Sequence, residues 1–207
     1  MGEFKIYLES TFPSIVYHGT TAEKGQLIRT SGTLRPRGQE PGNWASGPFG
    51  GNPSRSNVVY CSPSQFGAMS YAKEICLNYG TKTGAIVSVV PDWQHVVIDE
   101  DTVHGILSKF KLNSNAIAGK AWLAYANYIQ NESGKPCTPQ QAYDEYQWLI
   151  NSDDSSDSGY AEIMKSVAEE LTKLLTPNEL SQLIAKENVV GFSTSLRVIQ
   201  VEFINIE

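Results

Sequence analysis

The spacing of hydrophobic and polar residues changes period twice along the chain. Residues 4–9, FKIYLE, and 14–17, SIVY, read as short strands. Thr20 with Glu23 three residues on forms a capping box, so a helix is expected there. Ala22, Leu27 and Ile28 give that helix an apolar side, and Gly32 is placed to end it. Residues 33–56 are rich in Gly, Pro, Ser and Asn and predict a long loop that contains Trp44 and Phe49. NVVYC at 57–61 is a compact strand. Ser62 then supplies an N-cap, Pro63 a first helical residue and Gln65 the capping-box partner. The predicted helix runs to about Tyr79 and stops at Gly80. Residues 84–90 and 95–98 read as two strands around a Pro-Asp turn.

From about 101 to 187 the period is helical. Leu107, Phe110, Trp122, Tyr125, Ile129, Tyr146, Leu149, Ile150, Met164, Val167, Leu171 and Leu174 are its candidate core positions. NSDDSSDSG at 151–159 reads as a solvated linker, and Thr176-Pro177-Asn178-Glu179 opens another capped helix. LRVIQVEFI at 196–204 is a returning strand, with residues 199, 201 and 203 on one face and Gln200 and Glu202 on the other. Strands, a helical block and a last strand make an α+β protein rather than alternating βαβ units. The expected organisation is one domain over 1–207 with 101–187 inserted between core strands.

Composition narrows the partners. The chain of 207 residues carries a formal net charge of −6, whereas a protein that grips phosphates presents a basic surface. Arg29, Arg35, Arg37 and Arg55 are the candidates for a local basic patch, or are solvated loop charges. Cys61, Cys76 and Cys137 are too few and too scattered for a disulfide framework, and no Cys/His cluster suggests a metal. No run of about 18 apolar residues suggests a membrane span, and no basic region followed by an apolar run suggests a signal peptide. The sequence also lacks GxGxxG and GxxxxGK[ST], so neither a Rossmann nor a P-loop site is indicated.

The candidate chemistry lies in two stretches, VYHGT at 16–20 and VVYCSPSQFGAMSYA at 58–72. His18 stands at a strand end before a glycine, whose backbone a flat ligand could approach closely. The imidazole offers a donor or an acceptor to a hydroxyl. Alone, such a histidine serves equally well as a packed or capping residue. Tyr60 ends a strand and Tyr71 lies eleven residues later on the following helix. Two rings so placed could sandwich an aromatic ring, or could simply belong to the core.

Together the stretches resemble the ADP-ribosyltransferase superfamily in its diphtheria-toxin and poly(ADP-ribose) polymerase branch. The pieces that carry the resemblance are Tyr17-His18-Gly19-Thr20, Val59-Tyr60 and Ala68-Met69-Ser70-Tyr71-Ala72. It is specific for about residues 14–74, extends less specifically over the strands to 98, and leaves 101–187 uncovered. It implies a split antiparallel β-sheet core with an inserted helical block. It also implies NAD as co-substrate, with no metal. His18 would bond the 2′-hydroxyl of the adenosine ribose, and the Gly19 backbone would clamp the nicotinamide carboxamide. Thr20 would add a hydroxyl near that ribose, and Tyr60 and Tyr71 would stack on the nicotinamide. Many relatives carry a serine three residues before the second tyrosine; here that position is Ala68, with Ser64 or Ser70 as substitutes.

Breaking the nicotinamide–ribose bond builds positive charge on the ribose, which a carboxylate of the family stabilises. Glu202, with Gln200 on the same face, is the expected acid. The polymerases place theirs at the start of this strand, where Ser195-Leu196-Arg197 has none. Relatives without the glutamate tend to transfer a single ADP-ribose or to be inactive. FSTS at 192–195 reads as a strand-entry turn. The leading expectation is therefore a mono-ADP-ribosyltransferase acting on a protein, in the cytoplasm or as a secreted effector or toxin. Two other readings stay open: a relative acting on nucleic acid or a small molecule, such as a phosphotransferase, and an inactive NAD- or ADP-ribose-binding module.

Overall fold

The computed structural model describes residues 12–36, 57–151 and 157–206. The expected strand at 4–9, residues Trp44, Phe49, Arg37 and Arg55, and the centre of the serine-rich linker lie outside the described residues. The chain is α+β and divides into two compact units. One runs up to Val97 and resumes at Ser181–Glu207; the other is Ile98–Leu180.

In the first unit, β1 (Val16–Thr21) leads into α1 (Ala22–Ser31) and β2 (Thr33–Leu34). β3 (Val59–Cys61) leads into α2 (Gln65–Tyr79), followed by β4 (Thr83–Val90) and β5 (Val96–Val97). β6 (Val190–Phe192) and β7 (Leu196–Asn205) close the unit. The strands form two antiparallel sheets, ordered β1-β4-β7-β2 and β3-β6-β5. One bridge joins them: Tyr17 donates to the Ser62 carbonyl at 2.8 Å and accepts from the Ser62 N–H at 2.7 Å.

Both helix stops fall where glycine signalled them. Gly32 and Gly80 take φ of 68° and 64°, a left-handed conformation that glycine adopts without strain. Both helix starts fall later than the capping boxes suggest. Thr21, not Thr20, caps α1, its hydroxyl accepting from Lys24 N–H at 3.4 Å. Ser64, not Ser62, caps α2, accepting from Gly67 N–H at 3.1 Å. β1 runs on through Thr21, which pairs with Gly84, so the helix begins only after it; Ser62 is held by Tyr17, and the second cap passes to Ser64.

β7 carries a bulge, because its register against β4 shifts between Ser88 and Val89 and leaves Ile199 as an extra residue. Val201 and Phe203 therefore share one face and Gln200 and Glu202 the other, while Ile199 falls at the irregularity. β2 and β6 were not expected; β2 lies inside the stretch read as loop and β6 is a three-residue VGF.

The second unit holds α3 (Glu100–Lys109), α4 (Ala116–Ser133), α5 (Pro139–Asn151), α6 (Asp157–Leu174) and the first turn of α7 (Pro177–Glu187). Trp122, Tyr125, Tyr146, Leu107 and Leu171 are fully buried in it. Trp122 meets Tyr143 and Tyr146 edge-on at 5.0 and 5.5 Å, and its indole N–H reaches the Phe110 carbonyl at 3.1 Å. Among the expected core residues, Phe110, Ile129, Leu149 and Leu174 are only half-buried and Ile150 is 45% exposed; Leu175 closes the end of the α6 stripe. Leu175 lies four residues after Leu171, on the same helical face. No helix among the described residues is long and apolar enough to cross a membrane.

The cap at Thr176 forms as its residues require. Thr176 N–H donates to Glu179 Oε2 at 2.7 Å, Glu179 N–H donates to Thr176 Oγ1 at 3.3 Å, and Lys120 Nζ adds a 2.6 Å ion pair. Thr176→Ala is expected to cost about 1 kcal/mol. That corresponds to a thermal midpoint lower by about 2–4 °C in a chain of this size. An unchanged midpoint in a thermal scan would contradict the cap.

Candidate functional site

Strand alternation places the first group of residues. Tyr17 turns its N–H and C=O toward Ser62, away from β4. Successive residues in a strand alternate, so His18 and Thr20 bond β4 and the backbone of Gly19 turns away from it. Gly19 is buried, and its N–H and C=O point side by side off the edge of β1 that Tyr17, two residues earlier, uses to pair with Ser62. The side chains alternate the other way. Tyr17, Gly19 and Thr21 face α2, and His18 and Thr20 face the opposite side of the sheet.

The missing side chain of Gly19 serves the helix. A Cβ there would overlap the Ala68 carbonyl oxygen and stand 2.7 Å from Ala72 N, both backbone atoms of α2. The glycine thus does two things. It lets the helix that carries Tyr71 lie directly on β1, and it leaves one buried donor and one buried acceptor facing away from β4.

His18 joins the two sheets. Its Nδ1 lies 2.8 Å from the Tyr60 carbonyl, which can only accept, so Nδ1 carries the proton. Burial lowers the pKa of the ring below the usual histidine value; the Tyr60 bond opposes this and the charge of Lys24 adds to it. The ring is therefore neutral at pH 7 and Nε2 is an acceptor. Thr20 is buried and stands two residues along on the same face. Tyr60 lies against Gly191 of β6, its register partner, whose Cβ would come 3.5 Å from the ring. Tyr71 is 41% exposed on the flank of α2.

The structure thus brings together His18 with Tyr60, and Gly19 with the helix that bears Tyr71. It does not bring Glu202 to them. Glu202 pairs with Ile86, which pairs with Gly19, so its side chain points to the α2 face, opposite His18. There it accepts from Gln65 Nε2 at 3.0 Å. Gln65 and Tyr71 are six residues apart, about 120° around the helix, so Glu202 is on the other flank of α2 from Tyr71. Ser64 and Ser70 are committed as well. Ser64 Oγ caps α2, and Ser70 Oγ donates to the Phe66 carbonyl at 3.1 Å.

Three residues beside the site were not singled out by their sequence: Ser62 and Ser64 in these roles, and Asn188. The signal for Asn188 was present, because an asparagine directly after a helix often takes the left-handed conformation. Of the expected basic patch, Arg29 lies over the Phe203 ring at 5.2 Å, and Arg35 is exposed. No group of three or more His, Cys, Asp or Glu among the described residues could hold a metal ion.

No protein-family model, curated protein or solved structure matches the chain. The functional reading accordingly rests on these residues and their geometry.

Proposed function

We propose that the chain is an NAD-dependent mono-ADP-ribosyltransferase with an ADP-ribosyltransferase-like core, and that its acceptor is a protein. The observation that carries the reading is the buried backbone pair of Gly19, turned off the sheet beside a histidine whose tautomer is fixed. A buried N–H and C=O side by side need partners. A primary carboxamide is their complement, its oxygen accepting from the N–H and its nitrogen donating to the C=O. Nicotinamide presents that group on a flat ring, which Tyr60 and Tyr71 would stack on. His18 Nε2 would accept from a ribose hydroxyl, and Thr20 would add a second polar contact on the same face.

In this reading the nicotinamide–ribose bond breaks with its electron pair passing to the pyridinium nitrogen, which leaves as neutral nicotinamide. The ribose carbon becomes oxocarbenium-like. A nucleophile of the acceptor forms the new bond there and loses its proton. The clamp on the carboxamide and the stacked rings hold the leaving group in line, so the chain acts mainly by orientation.

Glu202 tests how much more is needed. Because it points away from His18 and bonds Gln65, Glu202→Gln is expected to leave nicotinamide release within about threefold of wild type, the scale of a lost surface contact. A fall of about 10²-fold or more, the scale of a lost stabilising group, would place Glu202 at the ribose. The placement of Glu202 also favours one competing reading, a module that binds NAD or ADP-ribose without cleaving it. Nicotinamide release measured with labelled NAD and a cell lysate separates the two. Release with label on a lysate protein supports the transferase. Binding without release supports the module, and no binding sinks both.

A further inference from the structure

Three segments of the first unit meet at Asn188. The residue follows α7 and precedes β6, and its φ of 58° is the only positive value at a non-glycine residue among those described. Its N–H closes α7 on the Ile184 carbonyl at 2.9 Å. Its Oδ1 accepts from two hydroxyls, Ser62 Oγ at 3.0 Å and Ser64 Oγ at 2.9 Å. Each hydroxyl is already an acceptor: Ser62 Oγ takes Ser64 N–H at 3.1 Å, and Ser64 Oγ takes Gly67 N–H at 3.1 Å. Each serine thus accepts a backbone N–H and donates its one proton to Oδ1, so residue 188 serves the clasp through a side-chain oxygen. Gly67 closes the fourth side; a Cβ on it would overlap Asn188 Nδ2 and Ser62 Oγ.

The clasp acts on the link between the two tyrosines. Tyr60 lies two residues before Ser62, and Tyr71 lies on the second turn of the helix that Ser64 caps. The angle at which α2 leaves β3 sets where Tyr71 stands relative to Tyr60, and Asn188 holds both hydroxyls of that corner. His18 and Thr20 are on β1, which Ser62 meets through its backbone bonds to Tyr17 and not through the hydroxyl that Asn188 holds.

We infer that Asn188 is a positioning residue for the nicotinamide end of the substrate. Through Ser62 and Ser64 it fixes the departure of α2 from β3, and with it the gap between the rings of Tyr60 and Tyr71. The inference rests on the NAD reading above. It goes beyond that reading by separating the two ends of the substrate: nicotinamide affinity depends on the clasp, and ADP-ribose affinity does not.

The test uses the full chain as wild type, Asn188→Gly and Asn188→Asp. Glycine accepts the positive φ and removes the amide, so the backbone is not strained. Aspartate keeps an oxygen for both hydroxyls and tolerates the same φ. Hydrogen exchange at Ser64 and Gly67 is measured first, then calorimetric binding of nicotinamide and of ADP-ribose separately. In Asn188→Gly, Gly67 exchange should rise and nicotinamide affinity should fall by about tenfold, the scale of losing a pair of neutral hydrogen bonds. ADP-ribose affinity should stay within about twofold, the spread of a site not touched. Asn188→Asp should restore both properties. Unchanged exchange in Asn188→Gly, an equal fall for both ligands, or failure of aspartate to rescue would each overturn the inference while leaving the NAD reading standing. A wild type that binds neither ligand would overturn the NAD reading, and this inference with it.

Discussion

Replacing His18 with alanine should lower nicotinamide release from NAD by about 10²-fold. Two hydrogen bonds are lost at once, each worth roughly 1–3 kcal/mol when a partner is left buried, and each 1.4 kcal/mol is a factor of ten. One bond is the Nδ1 anchor to the Tyr60 carbonyl at 2.8 Å, which ties β1 to β3. The other is the proposed Nε2 contact to the ribose. The same residue sets a pH dependence with a definite sign. Its folded pKa is lowered, so the neutral ring persists below the ordinary histidine range. Turnover should hold constant from pH 8 down through about 6.5, the value of a free histidine, and fall only at lower pH as Nε2 takes a proton. The linked stability runs the same way. It is fully present above the unfolded pKa and is lost as pH falls toward the folded one, because the unfolded chain binds the proton first. A profile that falls at a pH above 6.5 would contradict the neutral ring.

Gly19→Ala should be strongly destabilising. The new methyl would overlap the Ala68 carbonyl oxygen and press on Ala72 N at 2.7 Å, and neither backbone atom can swing aside as a side chain would. Overpacking of this kind costs about 3 kcal/mol or more. In a chain of this length that lowers the thermal midpoint by about 10 °C. A midpoint within about 2 °C of wild type would mean that α2 is not seated on β1 as described. The substitution also separates the two uses of this glycine. Its absent side chain makes room for α2, whereas its backbone is what the proposed carboxamide meets. Loss of binding in this variant therefore reports displacement of α2 and is not a test of the clamp.

Much of the fold could be read from local patterns. Glycines at 32 and 80 end two helices where their left-handed φ values require, and the Thr176–Glu179 box opens the last helix. What failed was choice between equivalent local signals. Thr20 and Thr21, or Ser62 and Ser64, cap equally well by composition; the pairing of β1 with β4 runs on through Thr21, and pairing with Tyr17 holds Ser62 back. β6 escaped because three residues around a glycine carry no period, and its stability comes from β3 and β5 on either side. The site divides in the same way. His18, Gly19, Tyr60 and Tyr71 stood out as residue types, but the contact of His18 with a carbonyl 42 residues away is a product of topology. The resemblance points to an acid on the last strand, which Glu202 meets, and alternation does place it with Gln200. Which sheet face belongs with His18 is fixed by register across β4, and no local pattern contains that.

The central claim is that the carboxamide of NAD docks on the Gly19 backbone. A crystal structure of the full chain with NAD or its nicotinamide product tests it most directly. The account predicts the carboxamide oxygen and nitrogen within about 3 Å of the Gly19 N and O, the ring lying against Tyr60 and Tyr71. Nicotinamide bound elsewhere, or an unaltered β1 edge at saturating NAD, would contradict it.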